Sequence, residues 1–132
     1  HIVGSFAPLD GNTTEIAEGD VVKVDLGVHI DGYMALAAHT FVVNTENAPI
    51  TGKKADLLQA LYTAVECGRR LLKPGVKNTD ITRVIDLVAK DFGVHTVENV
   101  FSHEILRNEI DGENVIANNV PDVPLTGDNK TQ

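Results

Sequence analysis

Asp25 and His29 stand in a segment, Val21 to Ile30, whose residues alternate between apolar and polar or small types. Residues an even number apart on a strand share a face, so this carboxylate and this imidazole project together. His29 could take a polar role on this face, while Asp25 could simply accept hydrogen bonds from neighbouring groups. His103 is followed by Glu104, but no second histidine stands where a zinc-peptidase helix motif requires it. His39, set among apolar residues, reads as a packed histidine donating to backbone. Cys67 is the sole cysteine. It can form no internal disulfide, reads as structural, and suits a reducing cytosol or nucleus.

The elements that must position these residues are legible from local patterning. In Val21–Ile30 the apolar residues Val22, Val24, Leu26, Val28 and Ile30 point one way. Asp31-Gly32 is a strong signal for a two-residue hairpin turn, because both central positions can adopt positive φ. A second strand is expected from Tyr33 to about Val43. With a two-residue turn, Ile30 faces Tyr33, Gly27 faces Leu36, and Asp25 faces Ala38. Asp25, Gly27, His29, Met34, Leu36 and Ala38 then lie on one face.

Helical spacing predicts a helix over about 52–72, capped by Thr51, with Leu57, Leu61, Ala64, Val65, Gly68 and Leu72 as its apolar stripe. Pro74-Gly75 ends it. A second helix is predicted from a Thr79 cap to about Phe92, with Ile81, Val84, Ile85, Val88 and Ala89 inward and Gly93 as its stop. Both helices are expected to cover one side of the hairpin. Residues 1–6 read as a short strand, Thr96-Val97 as extended, 101–103 as loop or strand, 110–113 as a turn, and 115–117 as a short strand. Residues 118–132 read as a polar tail. The chain opens without methionine on residues already patterned as extended, and both ends read as cut.

Composition narrows the class. The 132 residues suffice for one mixed core, and 42% apolar against 23% charged types is a globular balance. Lys and Arg number 11 against 19 Asp and Glu, a net charge of −8, which repels phosphate backbones unless basic residues gather on one face. Lys53, Lys54, Arg69, Arg70, Lys73 and Lys77 are the candidates for such a patch, although the ends of a solvated helix carry such charges too. The longest apolar runs fall far short of the ~20 residues of a membrane helix.

Lys23-Val24-Asp25-Leu26-Gly27-Val28-His29-Ile30-Asp31-Gly32 resembles the first metal-ligand strand of type-2 methionine aminopeptidases. It is more similar still to their non-peptidase relatives, the proliferation-associated, ErbB-receptor-binding family. Ser5 to Leu9, Ala38 to Val43, Thr51 to Asp56, Val76 to Thr79, Ser102-His103 and Ile110 to Glu113 extend the resemblance, in order, to about Ala117. It implies an α+β pita-bread (creatinase/aminopeptidase) fold. The whole chain, 1–132, would form an incomplete domain, mainly the N-terminal half.

The same resemblance implies a degenerate metal site. A dinuclear hydrolytic centre holds two ions about 3.5–4 Å apart through several carboxylates. Asp25 matches the first ligating aspartate of the peptidases, but the second position, eleven residues on, is Leu36. His103 matches a histidine ligand, Asp111 replaces a second histidine, and Ser5 stands where the peptidases have a histidine near the scissile bond. The resemblance thus implies no cofactor, no bound metal and no catalytic residue. It points to a catalytically inactive interaction protein concerned with ribosomes or RNA, translation and growth control. The full-length protein would have protein partners and be located in the cytoplasm and the nucleus or nucleolus. A metal-dependent aminopeptidase fragment and a pure scaffold segment are the alternatives.

Overall fold

Val21–Ile30 and Tyr33–Val42 form the two antiparallel strands β1 and β2 in a computed structural model that describes residues 15–119. Two residues connect them, Asp31 at φ 51° and Gly32 at φ 86°. This is the primed turn whose twist matches that of the strands. The register is the one the sequence predicts: Ile30 opposite Tyr33, Gly27 opposite Leu36, Asp25 opposite Ala38. At the open end the Gly19 N–H donates to Val43 O and the Val43 N–H to Asp20 O, while the Glu18 carboxylate accepts from the Thr45 N–H and hydroxyl.

Two helices follow, α1 (Lys53–Leu71) and α2 (Asn78–Asp91), close to the predicted spans. Neither starts on the expected cap. Gly52 occupies the α1 N-cap at φ 65°, a backbone course that places glycine, not Thr51, before the first turn. Asn78 already belongs to α2; its Oδ1 accepts the Thr79 N–H at 2.8 Å and its amide donates to Val115 O at 3.0 Å. Asn78, not Thr79, therefore ties this helix start to the sheet beyond it. The α2 end does follow the prediction. Gly93 is at φ 65°, its N–H donates to Lys90 O, and the Val94 N–H donates to Ala89 O, the double closure of a glycine-terminated helix.

The core lies between these helices and a short sheet of β3 (Phe101–His103) and β4 (Val115–Ala117). Ile81, 2% exposed, sits on Gly68, where a Cβ would lie 3.6 Å from its Cγ2. Small residues let α2 approach there. The α1 face is accordingly rotated from the predicted stripe: Ala60 is buried and Ala64 and Gly68 half-buried, while Leu57, Leu61, Val65 and Leu72 are exposed. On α2, Ile81 and Ala89 are buried and Val84, Ile85 and Val88 half-buried, as predicted. Buried Thr82 adds a polar link by donating to Ala117 O at 2.8 Å.

The helices do not cover the hairpin. They pack on each other, and α2 packs on β4; α1 meets the hairpin slightly, with Lys54 donating to Gly19 O near its open end. The face of Val22, Val24, Leu26, Val28 and Ile30, opposite Phe41, His39, Ala37, Ala35 and Tyr33, stays largely exposed. What touches the hairpin tip is the β3–β4 loop. Its sharp turn is at Arg107-Asn108, closed by a bridge between Leu106 and Glu109, with 110–113 only a bend. The Asn108 N–H donates to Gly32 O at 2.8 Å, and the Arg107 guanidinium lies 4.9 Å from the Tyr33 ring centroid. Thr96-Val97 joins no strand. Asn118 donates its N–H to Val100 O, and the expected polar tail from 120 on lies outside the described residues. The predicted strand at 1–6 lies outside the described residues.

Gly32 and Gly75 share a φ of 86°, but a Cβ at Gly32 would meet the Asn108 side chain, whereas at Gly75 it meets nothing. Urea denaturation should therefore show Gly32→Ala costing about 2–3 kcal/mol and Gly75→Ala about 1 kcal/mol. Thr82→Val strips a buried carbonyl of its donor and should cost about 1–2 kcal/mol in the same assay.

Candidate functional site

On the hairpin face that carries Asp25, the register sets Leu36 across from Gly27, two residues along β1 from Asp25. The side chain crosses the strand gap: a Cβ built on Gly27 would lie 3.0 Å from Leu36 Cδ2. Leu36 thus covers backbone that a glycine leaves open, and its side chain has no donor atom for a cation. Asp25 is exposed, and its carboxylate has no hydrogen-bond or ion-pair partner among the described residues. It makes none of the hydrogen bonds that an aspartate on a strand could accept from neighbouring groups.

His29 lies farther along this face, opposite Met34. Together with Asn108 and Ile110 they line an open recess of about 310 Å³ at the hairpin tip. The β3–β4 loop therefore reaches the Asp25 face at its far end. His103, at the end of β3, has Nδ1 3.5 Å from Asp111 Oδ1 and 3.2 Å from Glu104 O. Asp111 thus turns toward His103. Glu104 accepts from the Asn114 amide. Among the described residues no three of His, Cys, Asp and Glu gather closely enough to hold a metal ion. Leu36 offers no oxygen or nitrogen beside Asp25, so the donors among the described residues do not make a dinuclear centre. Ser5 lies outside the described residues.

His39 is not packed as expected; it is exposed, with its ring 6.3 Å from that of Phe41 in a near-parallel stack. Half-buried Cys67 is a free thiol. The six basic residues do not make one patch. Lys53 and Lys54 begin α1, and Arg69 lies sixteen residues on, roughly 24 Å away at 1.5 Å per residue. Arg69 binds Glu66 through two contacts, of 3.0 and 2.9 Å, and Arg70 approaches the same carboxylate at 3.5 Å. The Arg69 guanidinium, hydrogen-bonded to Glu66, holds that carboxyl below its usual range, and Arg70 adds to the effect. Lys73 and Lys77 belong to the α1–α2 connection. Sequence reasoning missed Arg107 and Asn108, the contacts that seat the loop. The only local cue was an asparagine suited to the left-handed backbone it adopts, at φ 64°.

Comparison with known proteins places this geometry. The profile of metallopeptidase family M24 matches residues 4–131. Proliferation-associated protein A of Dictyostelium discoideum is 47% identical over 86% of this chain and 30% of its own length. ErbB-3 binding protein 1 of Arabidopsis thaliana is 43% identical over 86% of this chain and 29% of its own. Among solved structures, that of a thermophilic Arx1 superposes with a TM-score of 0.72 at 30% identity, over 87% of this chain and 38% of that one. The chain belongs to metallopeptidase family M24, on the side of its proliferation-associated members, and has the pita-bread fold in part. It spans less than a third of the curated relatives named here. No helix among the described residues is long and apolar enough to cross a membrane.

Calorimetric titration of the metal-free protein with cobalt, manganese or zinc should give no pair of stoichiometric ions at submicromolar affinity. Leu36→Asp should create at most one weak site for an oxygen-preferring cation, abolished by Asp25→Ala.

Proposed function

We propose that this member of metallopeptidase family M24 is an interaction protein without peptidase chemistry, acting in ribosome-associated growth control. The observation that carries the first part is Leu36 lying across Gly27. A hydrolytic pair of cations needs a carboxylate that holds both ions and offsets their repulsion, and a leucine side chain can do neither. The names of two relatives, proliferation-associated and ErbB-3 binding, support growth control and protein partners. The ribosome and RNA association, with cytoplasmic and nuclear or nucleolar residence, is what the resemblance to that family implies.

Electrostatics shapes how RNA would be met. With a net charge of −8 and Arg69 and Arg70 sharing Glu66, α1 offers no continuous cationic track. Contact with ribosomes would rest on protein surface or on basic segments elsewhere in the full-length protein. A scaffold role for this segment remains the second reading, favoured by the same charge pattern.

Sedimentation of purified ribosomes with the full-length protein and with this segment alone separates them, since a pure scaffold segment would not co-sediment. The full-length protein should co-sediment, release no methionine from a Met-initiated peptide with added cobalt, and bind ribosomes undiminished after Asp25→Ala. Arg69→Ala should weaken binding no more than about threefold, since that guanidinium is already paired. Methionine release abolished by Asp25→Ala would overturn the reading, as would failure to co-sediment.

A further inference from the structure

We propose that Asp31-Gly32 is a covalent modification site, at which Asp31 isomerises to isoaspartate at a rate set by the seating of the β3–β4 loop. An aspartate followed by glycine can close on itself. The Gly32 nitrogen attacks the side-chain carboxyl carbon of Asp31, an N–C bond forms, and a carboxyl oxygen leaves as water. Glycine favours this closure because no side chain shields its nitrogen. Water then reopens the five-membered ring. Attack at the former main-chain carbonyl leaves the chain running through the side chain, with a free α-carboxylate where the peptide carbonyl was. Water is released once and consumed once, so no other reactant is needed. The reaction is internal to two adjacent residues, so it depends on how the turn is held and not on what lies over the hairpin faces.

The sequence contains three Asp–Gly pairs; Asp10-Gly11 lies outside the described residues, and the other two are held differently. At Asp111-Gly112 both reacting groups are engaged. The Gly112 N–H donates to Glu104 O at 2.9 Å, and the Asp111 carboxylate lies 3.5 Å from His103 Nδ1. At Asp31-Gly32 neither is. The Gly32 N–H has no acceptor, and the Asp31 carboxylate no donor or ion-pair partner, among the described residues. This turn is held by its carbonyls instead: the Arg107 Nε–H donates to Asp31 O at 3.3 Å, and the Asn108 N–H to Gly32 O at 2.8 Å.

Backbone geometry is what restrains the reaction. In a primed turn the first central residue directs the next nitrogen away from its own side chain, so the ring cannot close until that main chain rotates. Asp31 stands at φ 51°, a region that a residue with a Cβ keeps only where its surroundings hold it there. The β3–β4 loop supplies this hold. Asp31 O belongs to the very peptide whose nitrogen attacks, so the Arg107 bond pins the group that must turn. When the loop lifts, both reacting groups are already free. The change then outlasts the opening. Isoaspartate adds a carbon to the main chain, the two-residue turn loses its register, and Gly32 no longer lies under Asn108. The recess of His29, Met34, Asn108 and Ile110 is remodelled with it.

Ageing of the full-length protein at neutral pH over weeks, followed by peptide mapping that locates isoaspartate from fragment masses, is the test. Isoaspartate should accumulate at Asp31 ahead of Asp111. Arg107→Ala should speed the Asp31 reaction about fivefold, because one tie fewer lets the turn open locally. Asp111 should change little, since its bond to Glu104 lies within the loop. Unchanged circular dichroism would show that the variant still folds. Thr82→Val, which loosens the core away from the turn, is the control for global unfolding and should leave the Asp31 rate unchanged.

An Asp31 that stays unmodified while the urea-unfolded protein isomerises there would overturn the proposal. So would faster reaction at Asp111, an Asp31 rate indifferent to Arg107→Ala, or acceleration by Thr82→Val as large as that by Arg107→Ala.

Discussion

The turn at Asp31-Gly32 is the constraint from which most of the molecule's surface chemistry follows. Two consecutive residues at positive φ leave only one way to pair the strands that flank them. A register slip of one residue would carry every β1 side chain to the opposite face. With the slip forbidden, Leu36 must meet Gly27, and the charged and apolar residues of the hairpin must separate onto different sides. The same turn seats the distant β3–β4 loop, because a residue without Cβ leaves room for the Asn108 side chain.

That constraint also gives the Asp25 face its character. A dinuclear metal centre is a cooperative arrangement of charges, which one carboxylate cannot make alone. Leu36 presents bulk without charge, and Asp25 stands exposed to solvent with no partner carboxylate beside it among the described residues. The imidazole that resembles a ligand has an aspartate neighbour of its own, in Asp111. The face presents a shaped, weakly polar surface.

How much of this was legible in the sequence depended on how local the cause was. The hairpin register, both helix spans, the glycine end of α2 and the β4 strand follow from neighbours within a few residues, and reading the chain sufficed for them. The helix starts were misread because Gly52 and Asn78 act through backbone angles and a bond to Val115, neither visible in residue type alone. The α1 stripe was misread for a different reason. Several rows of α1 are apolar, and the choice of the Ala60–Ala64–Gly68 row was made by Ile81 on another helix. The absence of a helical cover over the hairpin tip is likewise tertiary, since patterning says that a face is apolar but not what lies on it. The candidate site divides along the same line. Strand pairing fixed how Leu36 meets Gly27, whereas the His103–Asp111 pair and the split of the basic residues between the two ends of α1 needed coordinates.

The hydrogen bond from the Arg107 Nε–H to Asp31 O joins residues 76 apart in the chain. The hairpin beneath it closes between neighbours and belongs to microsecond events, while closure over so long a span carries a larger entropic cost. The order of assembly is then set: the turn forms early and presents a finished seat, and the loop arrives late. Reversed, the order means that the loop is the first part to leave. Its amides should exchange with solvent through small local openings, long before the hairpin ladder gives up its own protons.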